Sequence, residues 1–137
     1  MSTEPTSVLP GASRELAEFS SQIEFDDLPA VVVQRIKLSV LDSLGCVLPG
    51  NALPWTERVL DMVRMEGGMA VASVFGTDVR TSISQAVLVN STGGHAFELD
   101  DIHKESIVHP GSIAVPVALA FSEARRPMSG RLLQARR

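Results

Sequence analysis

Apolar residues recur at helical spacing from residue 13 onward. Leu16, Phe19 and Ile23 share one side of a first predicted helix over residues 13–23, for which Ser13 is a suitable N-cap. The pattern therefore predicts a short amphipathic helix near the start of the chain.

Residues 27–50 form the most strongly patterned segment. Asp27 is a predicted cap, Pro29 falls in the first turn where its missing N–H costs nothing, and Pro49-Gly50 is a stop signal. The apolar positions make a wide stripe, so the helix is expected to pack on other helices. These positions are Val32, Val33, Ile36, Val40, Leu41, Leu44 and Val47 or Leu48.

The middle of the chain alternates between helix and a short β excursion. A third helix is predicted from Pro54 to the Gly67-Gly68 pair. Residues 69–82 are typical of a short strand or hairpin, with Gly76 and Asp78 near its bend. The hairpin is the one predicted departure from helix.

Two further helices flank a polar stretch. Ser82 is a predicted cap for a fourth helix, which Gly93-Gly94 should break or kink just before His95. A fifth helix is predicted from Ser112, with Pro116 in or just after its first turn and residues 125–130 as its end.

The two chain ends differ from the rest. Residues 1–11 contain two prolines and small polar residues, which indicates a flexible lead-in. Residues 131–137 begin another segment with apolar residues at helical spacing, for which Ser129 is a suitable cap. A helix of about two turns has marginal stability in water by itself. The sequence predicts a mainly α fold over residues 12–137 that ends within a truncated element.

Composition narrows the class of protein. The 137 residues suit about one domain, and the net charge of -4 argues against nucleic-acid binding. Hydrophobic residues make up 45% and aromatic residues 4%, which indicates an aliphatic core or a surface buried against a partner. The single Cys46 lies in an apolar run and is expected to be a buried thiol rather than a nucleophile.

Location follows from what the sequence lacks. The first residues do not form a secretory signal peptide, and no apolar run approaches the roughly 20 residues of a membrane span. One cysteine allows no intrachain disulfide, which suits a reducing compartment. We expect a soluble, cytoplasmic protein.

The stretch "GGHAFELDDIHKESIVHPGS", residues 93–112, holds all three histidines of the chain among several acids. A neutral imidazole suits the removal of a proton from carbon next to a carboxylate. His109 is best placed, because the predicted start of the fifth helix at Ser112 would put free N–H groups beside it. Gly111 and Ser112 are therefore candidate carboxylate-binding residues.

The acids and cations of this stretch have separate expected roles. Glu98, Asp100 and Asp101 are candidates to orient an imidazole or to act as an acid. Carboxylate substrates need cations, and Lys104 is the one lysine of the stretch. The chain thus lacks the basic residues for a complete site on an anionic substrate.

Less specific interpretations remain open. Asp100, Lys104 and Glu105 are residue types typical of a solvated loop. His95 could be a helix-end residue whose ring bonds backbone carbonyls, and His109 could be a turn residue. A metal-dependent hydrolase is a further alternative, since three histidines and carboxylates suit a divalent ion. The histidine spacing does not match helical metal motifs, so no metal ligands are predicted.

The runs "LDSLGCVLPG", "ASVFGT" and "GGHAFELDDIHKESIVHPGSIAVPVALAFSE" closely resemble the N-terminal part of the MmgE/PrpD family. The family includes 2-methylcitrate dehydratases, cis-aconitate decarboxylases and iminodisuccinate epimerases. The resemblance implies a lyase or isomerase without cofactor or metal, which acts on a small di- or tricarboxylate. It also implies a large helical domain, a smaller α+β lid domain and a homodimer.

The resemblance assigns roles to particular positions. The histidine of the family's "HP" motif corresponds to His109, an active-site residue in the family's decarboxylases, and an acid corresponds to Glu98. The family's aspartate pair corresponds to Asp100 and Asp101. Those decarboxylases carry Asp at position 98, Thr at position 102 and a slightly shorter loop, which puts cis-aconitate decarboxylation in doubt.

These observations lead to two main hypotheses. In the first, the chain is the N-terminal part of a 2-methylcitrate dehydratase-like hydro-lyase, with the second histidine and substrate-binding lysines downstream of its end. His109 would act as acid or base, while Glu98, Asp101 and His103 shape or protonate the site and His95 and Lys104 bind substrate. In the second, the chain is a non-catalytic helical module that binds a partner chain.

Overall fold

The computed structural model describes residues 11–125. The chain divides into two compact units, residues 1–35 and residues 36–137, which are described separately below. The predictions for residues 1–10, for Ser129 and for residues 131–137 lie outside the described part of the chain. Across residues 11–125 the fold is mainly α with a single two-stranded hairpin, as predicted.

The first unit contains helix α1, Ala12–Gln22, and a 3₁₀ turn at Phe25–Asp27. The prediction of Ser13 as N-cap is wrong: Gly11 occupies that position with a φ of 123°, which favours glycine. Asp27 does not cap the next helix either. Its carboxylate accepts the backbone N–H of Glu24 at 3.0 Å, and so it closes the 3₁₀ turn instead.

Helix α2, Ala30–Gly50, runs from the first unit into the second. It begins just after Pro29, whose carbonyl accepts the N–H of Val33, and it ends at the predicted Pro49-Gly50. The predicted apolar stripe is only partly buried. Val47 is 1% exposed, whereas Leu41 and Leu48 are 67% and 51% exposed.

Helix α3, Pro54–Glu66, agrees with the prediction, including its end at Gly67 with a φ of 69°. Strands β1, Ala72–Ser73, and β2, Arg80–Thr81, follow and pair antiparallel in register Ala72 with Thr81. The predicted hairpin is confirmed. Side chains of α4 and α5 pack against it and supply the burial that two short strands lack.

Helix α4, Ile83–His95, starts at the predicted cap Ser82, whose hydroxyl accepts the N–H of Gln85. The predicted break at Gly93-Gly94 is wrong, because the helix continues through both glycines to His95. Both glycines are buried, and a Cβ on Gly50 would collide with the Gly93 carbonyl. They allow the end of α2 to approach α4 closely.

Helix α5, Pro110–Ala124, begins two residues earlier than predicted. His109 takes the N-cap position and Pro110 the first turn, where proline is favoured, so Ser112 lies inside the helix and is not its cap. Pro116 is buried within the helix. The helix ends at Ala124, just before the predicted stop.

The core of the second unit combines apolar clusters with a polar link. Leu60, Val63, Val74 and Val89 form one buried cluster, and Ala72, Ala86 and Ala120 form another. Asn90, fully buried on α4, accepts the N–H of Phe75 at 2.9 Å and donates to the Ser73 carbonyl at 2.9 Å. This side chain fastens the hairpin to α4.

Among the described residues, none of the helices is both long and apolar enough to span a membrane.

Candidate functional site

The histidine stretch lies where α4 ends and α5 begins. His95 is the last residue of α4 and His109 is the N-cap of α5, so the connecting loop, residues 96–108, is flanked by a histidine at each end. The two imidazole rings pack edge to face, with centroids 4.6 Å apart and an interplanar angle of 62°. Helix packing therefore joins two residues that are fourteen positions apart.

Asp100 lies beside both rings and faces the Nδ1 atom of each. The side chain of Asp100 is 1% exposed, and its Oδ1 lies 3.1 Å from His95 Nδ1 while its Oδ2 lies 3.4 Å from His109 Nδ1. The rings are more open, at 47% exposed for His95 and 24% for His109. The interpretation of Asp100 as a solvated loop residue is wrong, because the loop turns this aspartate inward between the two helices.

The charge of Asp100 is stabilised despite its burial. Burial by itself would raise the pKa of the Asp100 carboxyl, but hydrogen bonds from His95, Ser112 and its own backbone N–H, with the charge of His95, outweigh it. The net result is a pKa below the ordinary value of 3.8. Asp100 is therefore an ionised acceptor at neutral pH.

Asp101 points to a different partner. Its Oδ1 accepts the backbone N–H of Gly111 at 2.8 Å, which satisfies one of the free donors in the first turn of α5. A Cβ on Gly111 would press against Asp101 and Ser43, so the glycine permits this approach. The N–H of Gly111, predicted to bind a substrate carboxylate, is engaged by Asp101 in this structure.

The loop between the two aspartates and His109 forms a turn of its own. A single antiparallel bridge joins His103 to Val108, and the N–H of Ile107 donates to the His103 carbonyl at 2.8 Å. Ile107 has a φ of 53°, a left-handed conformation that is strained for a β-branched residue. The turn closes directly in front of His109.

His103 and Lys104 lie on this turn, away from the buried aspartate. His103 Nδ1 is 2.8 Å from the Ser106 hydroxyl, and His103 Nε2 is 3.5 Å from Glu105 on the surface. Lys104 is exposed, as is Glu98, whose φ of 52° is also left-handed. The structure does not bring His103, Lys104 or Glu98 into contact with Asp100.

A cavity of about 680 Å³ opens beside the two imidazoles. Apart from the histidines and a few hydroxyl groups its walls are apolar, and none of its lining residues is lysine or arginine. The residues that line it include Trp55, His95, Ile107, His109, Ser112 and Ile113. The cavity is large enough for a small organic acid, and the described residues that line it offer no cation to hold one.

The structure groups some predicted residues and separates others. His95, His109 and Ser112 meet around Asp100, whereas Asp101 and Gly111 pair with each other. Sequence reasoning named Asp100 as one of three acids that could orient an imidazole, but it did not single out Asp100 as the one that contacts both rings. Adjacent aspartates in an irregular loop give no periodic signal of which one is buried.

The same three residues, His95, Asp100 and His109, also have the ligand types that bind a divalent cation. One ring nitrogen of His95, one of His109 and a carboxylate oxygen of Asp100 all lie within 4.8 Å of one another. The prediction relied on spacing along one helix, and this group forms instead from two helices and a loop. A cation bound there would have to displace the contact between His95 and Asp100.

Cys46 lies partly buried on α2 near this site. Burial and the negative charges of Asp42, Asp100 and Asp101 raise the pKa of its thiol. The thiol is therefore protonated at neutral pH, and Cys46 is partly buried where the sequence predicted full burial.

Comparison with known proteins identifies relatives of this chain. The profile of the MmgE/PrpD N-terminal domain matches residues 14–136. A cis-aconitate decarboxylase of Aspergillus terreus is 31% identical over 113 residues, which are 82% of this chain and 23% of that protein. A cis-aconitate decarboxylase-like protein, oryM, of Aspergillus oryzae is 31% identical over 111 residues, 81% of this chain and 23% of its own length.

The chain thus spans less than a quarter of the length of these curated relatives. The profile match nevertheless covers almost all of the chain, including both imidazoles and the loop between them. The chain belongs to the MmgE/PrpD family, of which it contains the N-terminal domain.

Proposed function

We propose that this chain supplies one wall of a lyase active site that removes a proton next to a carboxylate of a small di- or tricarboxylic acid. The observation that carries the proposal is His109, which lines the cavity with its Nδ1 3.4 Å from the ionised Asp100. An imidazole backed by a carboxylate is a suitable general base near neutral pH. A 2-methylcitrate dehydratase-like activity is the leading candidate.

The composition of the cavity supports a shared site. Its apolar walls and two imidazoles can shape and deprotonate a substrate, yet carboxylate groups also need cationic partners. We propose that the remainder of a longer MmgE/PrpD polypeptide supplies them. The homodimer implied by the resemblance and the cytoplasmic location expected from the sequence belong to this proposal. The chain alone should then show little or no turnover.

Decarboxylation and epimerisation are alternatives within the same family. Both begin with a change at carbon next to a carboxylate and need an acid or base in the same position. The decarboxylase relatives favour the first alternative, while Glu98 and Ile102 depart from the residues of the decarboxylase pattern. Substrate choice must therefore be tested with all three reactions.

The test joins residues 1–137 to the part of the Aspergillus terreus relative that follows the matched segment. Purified hybrid, checked for folding by circular dichroism, is assayed with 2-methylcitrate, cis-aconitate and iminodisuccinate. Dehydration is followed by the absorbance of the new C=C bond, decarboxylation by the amount of CO2 released, and epimerisation by optical rotation. We expect one of the three activities, and kcat about 10²–10⁴-fold lower for His109→Gln.

Glu105→Gln is the matched control, because Glu105 lies in the same loop and contacts only the surface His103 among the residues described. It should retain the activity of the parent hybrid. A folded, active hybrid that is unaffected by His109→Gln would contradict the role of His109. Full turnover by the 137-residue chain alone would contradict the shared site.

A partner-binding module is the second candidate function. Leu38, Leu41, Ile113 and Phe121 are all between 48% and 67% exposed, which is unusual for large apolar side chains on helices of one small domain. Sedimentation equilibrium of the purified chain tests this alternative. Self-association that is lost on Leu41→Glu would favour it, while a monodisperse monomer would argue against self-association.

A further inference from the structure

The same ring nitrogen of two histidines faces one carboxylate. His95 Nδ1 lies 3.1 Å from Oδ1 and 3.3 Å from Oδ2 of Asp100, and His109 Nδ1 lies 3.4 Å from Oδ2. The carboxylate is almost completely buried and both rings line the cavity. Asp100 is thus shared between two potential acid-base groups.

His109 Nδ1 has an incomplete environment. This atom is buried and makes no well-aligned hydrogen bond within the described residues, and Asp100 Oδ2 is the acceptor beside it. Buried polar atoms are normally paired, and catalytic hydrogen bonds are often long before substrate binds. The 3.4 Å separation from Asp100 Oδ2 is within reach of a long hydrogen bond, so a change in ring orientation that aligns the N–H would complete it.

The nearby acids do not compete for these rings. Asp101 accepts the N–H of Gly111, and Glu105 faces His103 on the surface turn. An ionised carboxylate only accepts hydrogen bonds, so a ring nitrogen that faces it favourably must carry a hydrogen. The geometry therefore selects one tautomer for both neutral rings, with the proton on Nδ1 and Nε2 unprotonated.

We infer that Asp100 is a positioning residue that holds His95 and His109 in the same Nδ1–H tautomer and makes His95 the acid-base partner of His109. In each neutral ring Nε2 is then the nitrogen that can accept a proton from a molecule in the cavity. One imidazole can be neutral while the other is protonated, and the buried carboxylate balances the single positive charge.

The catalytic part of this inference rests on the proposed lyase function. In a dehydration, the neutral imidazole takes the proton from carbon, and the C–H electron pair becomes the new C=C bond. The departing hydroxyl group takes a proton from the protonated imidazole and leaves as water. The pair ends with the proton on the other ring, so it must exchange protons before the next turnover.

The experiment is side-chain NMR on the uniformly ¹⁵N-labelled 137-residue chain. Two-bond nitrogen–hydrogen correlations distinguish a protonated from an unprotonated ring nitrogen, and single His→Gln variants assign the three histidines. We expect the Nδ1–H tautomer for both His95 and His109 in the neutral state. An Nε2–H tautomer at either ring would overturn the inference, without the need for a variant.

Asp100→Asn and Glu105→Gln form a matched pair of carboxylate-to-amide changes in the same loop. Asp100→Asn should change the tautomer signals of His95 and His109 together and leave those of His103 unchanged. Glu105→Gln should change His103 alone. If a folded Asp100→Asn chain leaves the signals of His95 and His109 unchanged, Asp100 does not position the two rings. If that variant does not fold, the tautomers of the wild-type chain alone test the inference.

This measurement separates the inference from the proposed function. It needs no substrate, so the wrong tautomer would remove the positioning role of Asp100 and leave the turnover assays unaffected. Correct tautomers in a hybrid without lyase activity would leave the positioning role intact and contradict the proposed reaction.

Discussion

Two buried polar clusters are organised by neighbouring parts of the chain, and they differ in how completely their members are paired. Both side-chain polar atoms of Asn90, on α4, have partners in the hairpin. Asp100, just beyond the end of α4, is as well buried, but its two imidazole partners line a cavity and His109 Nδ1 lacks a well-formed bond.

This difference in hydrogen bonding indicates a structural role for the Asn90 cluster and a chemical role for the Asp100 cluster. A fully paired buried amide fixes two elements relative to each other and has no remaining capacity for a ligand. A carboxylate whose partners remain partly open can still redistribute hydrogen bonds and protons when a molecule arrives. We therefore expect damage to the first cluster to appear as lost stability and damage to the second as altered ionisation.

The largest loss of stability is expected for Asn90→Ala. The change leaves the Phe75 N–H and the Ser73 carbonyl buried without their partner, and it opens a cavity in α4. We expect a decrease of about 3 kcal/mol in the free energy of unfolding, measured by urea denaturation.

Thr92→Ala is the control for Asn90, since the Thr92 hydroxyl donates only to the Leu88 carbonyl of its own helix. It should lower the free energy of unfolding by less than about 0.5 kcal/mol. Equal losses of unfolding free energy in the two variants would show that the hydrogen bonds of Asn90 make no special contribution to stability.

An intermediate loss is expected for Gly111→Ala. The new methyl group would press against the Asp101 carboxylate and the Ser43 hydroxyl, and it would weaken the bond from Gly111 N–H to Asp101. Thermal and urea denaturation should show a loss of about 1–2 kcal/mol.

Gly45→Ala on α2 is the matched glycine variant, because a Cβ there meets no atom within 4 Å. It should stabilise the chain by about 0.5–1 kcal/mol, since alanine is the better helix former. A stabilised Gly111→Ala chain would show that the approach of Asp101 to α5 is not tight.

Apart from the control variants, the smallest loss in the free energy of unfolding, about 1 kcal/mol at neutral pH, is expected for Asp100→Asn. Because the folded-state pKa of Asp100 lies below its ordinary value of 3.8, its ionised form stabilises the fold above that value. This stabilisation is lost as the pH falls through the lower folded-state pKa. The difference between wild type and variant should therefore disappear in strong acid.

Urea denaturation at a series of pH values measures this dependence. Glu105→Gln provides the comparison, because the Glu105 side chain is 84% exposed and should contribute little at any pH. A difference between wild type and Asp100→Asn that grows as the pH falls would contradict the assigned direction of the pKa.

Much of the fold could be predicted from local pattern. The end of α2 at Pro49-Gly50, the cap at Ser82 and the end of α3 at Gly67 follow from backbone preferences that act within a few residues. The error at Gly93-Gly94 has a tertiary origin. These glycines were read as a local helix break, whereas their small size serves contact with a distant helix end.

The candidate site was less accessible to sequence reasoning. Clustering of histidines and acids located the region, and His95, His109 and Ser112 do meet in space. Which aspartate would be buried depends on how the loop crosses between α4 and α5, and no periodicity encodes that path. His103 shares the chemistry of the other histidines but lies on the surface turn.

The bridge between His103 and Val108 makes the turn at residues 104–107 a separable insert. The bridge holds the two ends of this turn together, so a change in the length or composition of the turn should not alter the position of His109. Ile107, on this insert, also lines the cavity. Substitutions in this turn can therefore alter part of the cavity wall, and with it the choice of ligand, without moving the imidazole of His109.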